Sequence, residues 1–307
     1  MRILIIALAL CACGKKANDK PEAKDKASDK PVETKPVNKP PSEAFADGKV
    51  GFPAPIAKLV LNMPEADATA AAPDIKNEKM VELPGYEGLS VFTRMHAGRL
   101  SQVFVEIDEP CDKAKEWLTK KWGAPLELTT SSGKKLTTYA SPDVTLRAVL
   151  EERVRDCQLN YQRVWTKEQL LGSDPKLFGF EKAPLIGITQ DELMKTYADL
   201  APTPRADDPG AITLDLPALT TSEYDGHATV RVKDGKVTGY TVSIVSGGDK
   251  ATDDAIVPRL EQMFGKAKKD GTGLYLDFKG PPPAKAEIRE KDSASFGHMI
   301  WVGDYKK

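Results

Sequence analysis

The chain has 307 residues, 40% apolar and 29% charged, with a formal net charge of −1. That is the composition of a globular protein long enough for one large domain or two ordinary ones, and it lacks the basic surplus that binding nucleic-acid phosphates requires. Beyond its first residues no apolar run approaches the ~20 residues of a membrane-spanning helix.

Met1-Arg2 supplies a positive start, Ile3 to Leu10 is unbroken apolar, and small residues follow in Leu10-Cys11-Ala12-Cys13-Gly14. The stretch is too short to span a bilayer and reads as a processed export signal. Leu10, Cys11, Ala12 and Cys13 resemble, in order, the lipobox of bacterial lipoproteins: a Leu three places before an invariant Cys, with small residues between. The resemblance implies a signal peptide over residues 1–12, a diacylglyceryl thioether on Cys13, and acylation of the new amino group. Several acyl chains at ~0.8 kcal/mol per buried methylene make a lasting anchor. Cys11 fits worse as acceptor, because Leu10 would stand where a small residue is needed. Gly14, in place of Asp, resembles lipoproteins exported to the outer membrane. The expected address is therefore the cell envelope, with the outer membrane favoured and the membrane held through acylated Cys13.

From Gly14 to Ser42 the chain carries eight Lys against five acidic residues. Large apolar side chains are nearly absent, and Pro21, Pro31, Pro36, Pro40 and Pro41 interrupt it. Such a segment cannot bury enough surface to offset chain entropy, so residues 13–45 are expected to form a disordered tether behind the lipidated Cys.

The remainder reads as two α+β modules, residues 46–170 and 171–307, repeating one order of elements. The first opens with an Ala-rich helix candidate, Pro64 to Ala72. Glu82-Leu83-Pro84 follows, then a hairpin from Gly88 to Ile107 that turns at Ala97-Gly98. Cys111, Ala114, Leu118 and Trp122 stripe a second helix that stops at Gly123. Strands are expected over Leu136 to Ala140, Val144 to Glu151 and Gln158 to Trp165.

In the second module Thr189-Gln190-Asp191-Glu192 has capping-box spacing ahead of Leu193, Met194 and Tyr197. Asp215-Leu216-Pro217 precedes a hairpin from Gly226 to Ile244 with a tight turn at Asp234-Gly235. Ile256, Leu260, Met263 and Phe264 stripe the next helix, where Pro258 is expected to impose a kink or a late start. Leu274 to Phe278, Ala284 to Arg289 and Gly297 to Val302 close the module. The fold class is thus α+β, a tandem repeat of two modules, each with two helices packed on a mainly antiparallel sheet. Gly187-Ile188-Thr189, a helix and an Asp-Gly-Lys hairpin resemble the module of β-lactamase inhibitor protein and of small outer-membrane assembly lipoproteins. The likeness covers about 60 residues and carries over no binding residue.

Candidate chemistry is sparse. Cys111 and Cys157 form a disulfide candidate, since an exported protein sits where such bonds persist; two buried thiols are the alternative. His96, His227 and His298 lack the spacing of metal ligands, and no phosphate loop, nucleophile elbow or dinucleotide fingerprint is present, so neither cofactor nor metal is expected. Ser246-Gly247-Gly248 precedes a helix with Thr252 as its expected cap. Asp207-Asp208 and Asp249 to Asp254 read as solvated acidic loops. Trp117, Trp122, Trp165 and Trp301 have mostly core-like spacing, while any of the four that is exposed, or Tyr161 or Tyr240 on a sheet face, would be a candidate binding anchor.

The expectation is a non-enzymatic, lipid-anchored envelope protein that binds or scaffolds another protein, with aromatic and Arg residues gathered on one exposed sheet face. Capture of a small ligand or cell-wall glycan is the alternative and calls for a deep apolar pocket between the modules. An enzyme of unrecognised type would need acids or a histidine converging in a cleft, for instance Asp225 near His227.

Overall fold

The computed structural model describes residues 38–75, 77–129, 134–141, 145–153, 156–171, 180, 185–219, 222, 226–246, 250–272, 275–288 and 297–305. Among the described residues no helix is long and apolar enough to cross a membrane. The fold is α+β, with two antiparallel sheets and few helices.

The folded body starts earlier than the sequence suggests. A 3-10 turn at Pro41–Ala44 places Ala44 and Phe45 in the first core, at 2% and 3% exposure. The tether assigned to residues 13–45 therefore runs too far. Phe45 packs its ring on Trp117 and Trp122, and one aromatic side chain with two ring partners is enough to fix this strand of chain.

In chain order the first elements are α1 (Glu65–Ala71), β1 (Val81–Glu82), β2 (Leu89–His96), β3 (Arg99–Ile107), α2 (Cys111–Trp122), β4 (Leu126–Thr129), β5 (Lys135–Ala140), β6 (Leu146–Glu152) and β7 (Cys157–Trp165). Then come α3 (Lys167–Leu171), α4 (Gln190–Thr196), β8 (Thr203–Pro204), β9 (Ala211–Leu216), β10 (Ala218–Leu219), β11 (Gly226–Lys233) and β12 (Lys236–Ile244). The chain closes with α5 (Lys250–Phe264), β13 (Ala267–Lys269), β14 (Leu276–Phe278), β15 (Ala284–Glu287) and β16 (His298–Gly303).

The first sheet has the order β1-β2-β3-β7-β6-β5-β4, and the second β8-β9-β11-β12-β16-β15-β14-β13. Both hairpins turn on two left-handed residues, Ala97 and Gly98 in one, Asp234 and Gly235 in the other. This is the backbone that matches strand twist in a two-residue turn. Each hairpin has its register irregularity at the same step, after Arg94 and after Arg231. The segment ahead of α1 bonds to the first turn through Asn62 N to Leu100 O at 2.7 Å and Glu65 N to Gly98 O at 2.9 Å. Ahead of α4 the same pattern joins Gly187 N to Val237 O at 2.8 Å and Gln190 N to Gly235 O at 3.0 Å.

Strand alternation sends one face of each sheet into a core. Val91, Val103, Val105, Leu159 and Tyr161 meet α1, α2 and the N-terminal segment. Leu214, Val230, Val242 and Ile300 meet α4 and the α5 stripe of Ile256, Leu260 and Phe264. The capping box holds: Glu192 N donates to Thr189 Oγ1 at 3.2 Å, and Thr189 N donates to Glu192 Oε2 at 2.8 Å.

One expectation for α5 fails, and of the kink or late start expected at Pro258 the late start is excluded. Its helix begins by Lys250, so Thr252 lies within the first turn, fully buried, and is not the cap. Pro258 sits inside a continuous helix of 15 residues, with no late start. It falls in the third turn, where burial of Ile256, Leu260 and Phe264 outweighs a lost backbone bond. The 170/171 boundary is also displaced, because α3 straddles it and both Leu170 and Leu171 join the second core.

The modules interlock. β10 pairs in parallel with the end of β7, through Ala218 with Val164 and Leu219 with Trp165. Arg147 on β6, at 1% exposure, donates from Nη1 to the carbonyls of Leu219 and Ser222 and from Nε to Gln162 Oε1. His298 on β16 bonds Asp253 of α5 at 2.6 Å.

Candidate functional site

Cross-strand register places one side chain from each strand in a row on the sheet face away from the core. In the first sheet that row runs from β2 to β4 through Phe92, Phe104, Asn160, Val149, Thr138 and Leu126. Phe92 and Phe104 are half-buried with ring centroids 5.8 Å apart, and the exposed Arg94 holds its guanidinium 6.0 Å from the Phe104 centroid. The Oδ1 of Asn160, next in the row, is buried without a hydrogen-bond partner.

The corresponding row of the second sheet is Thr203, Thr213, Thr229, Thr241, Trp301, Lys285, Asp277 and Lys268. Trp301 is half-buried, with Tyr275 at 6.0 Å and Tyr305 at 6.4 Å between ring centroids, and Lys285 Nζ lies 4.2 Å from the Tyr275 ring. Both sheets thus carry an aromatic cluster with a cation on the face opposite the helix-covered core, a face that in the first sheet is buried at Val149 and Thr138.

A second feature is a cleft of about 380 Å³ where the modules meet. The first module contributes Arg94, His96, Arg99 and Ser101 from the β2–β3 hairpin and Gln162 and Arg163 from β7. The second contributes Asp199, Ala201, Asp215 and Pro217. Leu61, Leu100, Leu200 and Leu216, each under a tenth exposed, form its apolar lining. His96 Nε2 lies 3.1 Å from Asp215 Oδ2, with both side chains half exposed. Partial burial raises the Asp215 carboxyl above its ordinary range, although His96, His227 and Arg163 pull the other way. Asn62 Nδ2, at 2.5 Å, and Arg163 Nη1, at 2.9 Å, donate across the junction to Asp199 O, and within the first module Arg99 Nη1 donates to Asn62 O at 2.7 Å.

The residues singled out from the sequence are distributed unevenly. Cys13, Gly247, Gly248, Asp249 and Asp225 lie outside the described residues. Cys111 and Cys157 are bonded to each other, with Cα atoms 4.9 Å apart, and tie the start of α2 to the start of β7. Tyr161 and Tyr240 are buried at 0% and 8%, so neither is an exposed anchor. Burial pushes both hydroxyls to higher pKa, that of Tyr161 strongly. Trp117 and Trp122 pack on the first core and Trp165 on the second, whereas Trp301 stands on the other face. Asp207 pairs with Arg205, and Asp208 with Arg231. Asp254 pairs with Lys250. Among the described residues no group of three His, Cys, Asp or Glu is arranged to hold a metal ion.

Sequence reading missed Arg94, Arg99, Arg163 and Asp215 as neighbours. Their positions, at a hairpin tip, a strand end and the preceding strand of another module, carry no common spacing. Comparison with family models, with curated proteins and with solved structures finds no match to this chain.

Proposed function

We propose that this chain is a bacterial envelope lipoprotein, acylated on Cys13, whose two α+β modules are copies of one unit that binds or scaffolds another protein without catalysis. The lipobox resemblance of Leu10 to Cys13 supports the anchor, and the Lys- and Pro-rich segment behind it suits a tether. The shared strand order, left-handed turns and bulge steps support the duplication.

The observation that carries the binding role is the pair of aromatic–cation clusters at corresponding rows of the two sheets. Aromatic and Arg side chains supply much of the energy at protein interfaces, because a rigid ring buries large area at small entropic cost. A partner with acidic side chains around an apolar centre suits Arg94 with Phe92 and Phe104, and Lys285 with Tyr275 and Trp301.

The test is mild cross-linking in cells, followed by capture of the anchored protein beside Cys13→Ser, Phe104→Ala and Trp301→Ala versions. A stoichiometric envelope partner that depends on Cys13 and on at least one of the two rings is the expected result. Equal capture by all four forms, or none by any while Cys13 carries lipid, removes the reading. The cleft between the modules favours a second reading, capture of a small ligand, although its polar rim is not the deep apolar pocket first expected.

A further inference from the structure

The cleft combines features that a protein-docking face does not need. It is concave, its volume falls within the range of small-molecule sites, and both modules are required to form it. Its floor is leucine and its rim is cationic. Arg94, Arg99 and Arg163 bring three guanidiniums, against the carboxylates of Asp199 and Asp215. Asp215 has its own cation in His96 at 3.1 Å.

Two of the guanidiniums are held in place. Arg99 donates to the Asn62 carbonyl and Arg163 to the Asp199 carbonyl, and the Asn62 amide bonds that same Asp199 carbonyl. The chain of bonds sets both cations on one short stretch of wall, so a ligand there would not have to order them. Arg99 spends one of its five N–H donors on Asn62 O, and a guanidinium fork matches the two oxygens of a carboxylate.

We propose that this cleft is a binding site for a small organic carboxylate: its head lies at Arg99, and its apolar body on Leu61, Leu100, Leu200 and Leu216. A monoanion suits the site better than a dianion, because the Asp215 carboxylate in the same cleft repels added negative charge. The rim shares Arg94 with the first aromatic cluster, whereas Arg99 and the leucine floor belong to the cleft alone, so Arg99→Gln separates this site from partner capture.

The experiment is isothermal titration calorimetry on the purified full chain, with hexanoate as probe, 1-hexanol as its neutral counterpart and inorganic phosphate as competitor. Hexanoate is expected to bind saturably and tighter than 1-hexanol, and phosphate to displace it poorly. Loss of one charge-assisted contact should weaken hexanoate roughly ten-fold or more in Arg99→Gln. Arg94→Glu, on an exposed side chain, keeps the test open if Arg99→Gln does not fold, and should also weaken binding. Equal binding of hexanoate and 1-hexanol overturns the site. So does unchanged affinity in a folded Arg99→Gln or, where that variant fails to fold, in Arg94→Glu. Displacement by phosphate at the affinity of hexanoate overturns the carboxylate assignment.

Discussion

Arg147 on β6 donates through Nη1 to the carbonyl oxygen of Leu219, 3.1 Å away and 72 residues later in the chain. The same nitrogen reaches Ser222, so one buried cation of the first sheet satisfies two backbone acceptors of the second module. A carbonyl buried without a donor carries its whole desolvation cost, so this side chain couples the stability of the two modules.

Arg147→Met should leave both carbonyls unpaired and destabilise the protein by about 3 kcal/mol. Urea unfolding followed by Trp fluorescence is expected to change from one transition to two as the modules come apart. A variant that unfolds at the wild-type midpoint would show that the link contributes nothing.

The Cys111–Cys157 bond closes a loop with a sequence separation of 46. Loop-closure entropy for that length gives a stabilisation of about 4 kcal/mol at most. The double variant Cys111→Ala, Cys157→Ala should therefore lose several degrees of Tm, and the reduced wild-type protein should follow it. Two thiols that alkylate in the native, unreduced protein would contradict the bond.

Thr189 caps α4, and Thr189→Ala should cost about 1 kcal/mol. The backbone N–H of Thr189, then its hydroxyl, holds the Glu192 carboxyl below its usual range. A lowered acid stabilises the fold above its unfolded value near 4.5, and the contribution disappears as pH falls through the lowered value. The Thr189→Ala deficit should accordingly be largest at neutral pH and shrink on acidification. A deficit that grows toward pH 3 would refute the assignment.

Asp215 has the opposite sign. Burial raises its carboxyl above 3.8, so its protonated form is favoured by folding. That contribution is complete below 3.8 and is lost as pH rises through the raised value. Asp215→Asn should flatten this part of the Tm–pH curve and equal or exceed wild type at pH 7. If wild type instead gains on the variant with rising pH, the pair with His96 outweighs burial.

Local signals were legible where the chain itself supplies the physics. The hairpin turns at Ala97-Gly98 and Asp234-Gly235, the Thr189 capping box and the α5 stripe depend on residues a few positions apart, and each forms where pattern puts it. Pro258 does not delay the start of α5, because helix breaking is a local cost, whereas three buried side chains on the same helix are a tertiary gain. Phe45 misled because a single aromatic residue at the end of a polar tract leaves no periodic trace, yet finds two Trp partners in the fold.

By itself the sequence determined the α+β class, both hairpins and the helical stripes of α2 and α5, because alternation and helical periodicity express burial along one chain, whereas short elements such as β4, β10, β13 and α3 left no such pattern. It also determined the lipobox resemblance and the polar tract that follows it. Only the tertiary structure decided which Trp faces away from a core, that Arg147 spans the modules, and that Arg94, Arg99, Arg163, His96 and Asp215 share one cleft. Those relationships arise from strand register and from the docking of one module on the other, and neither is written in the spacing of residues along the chain.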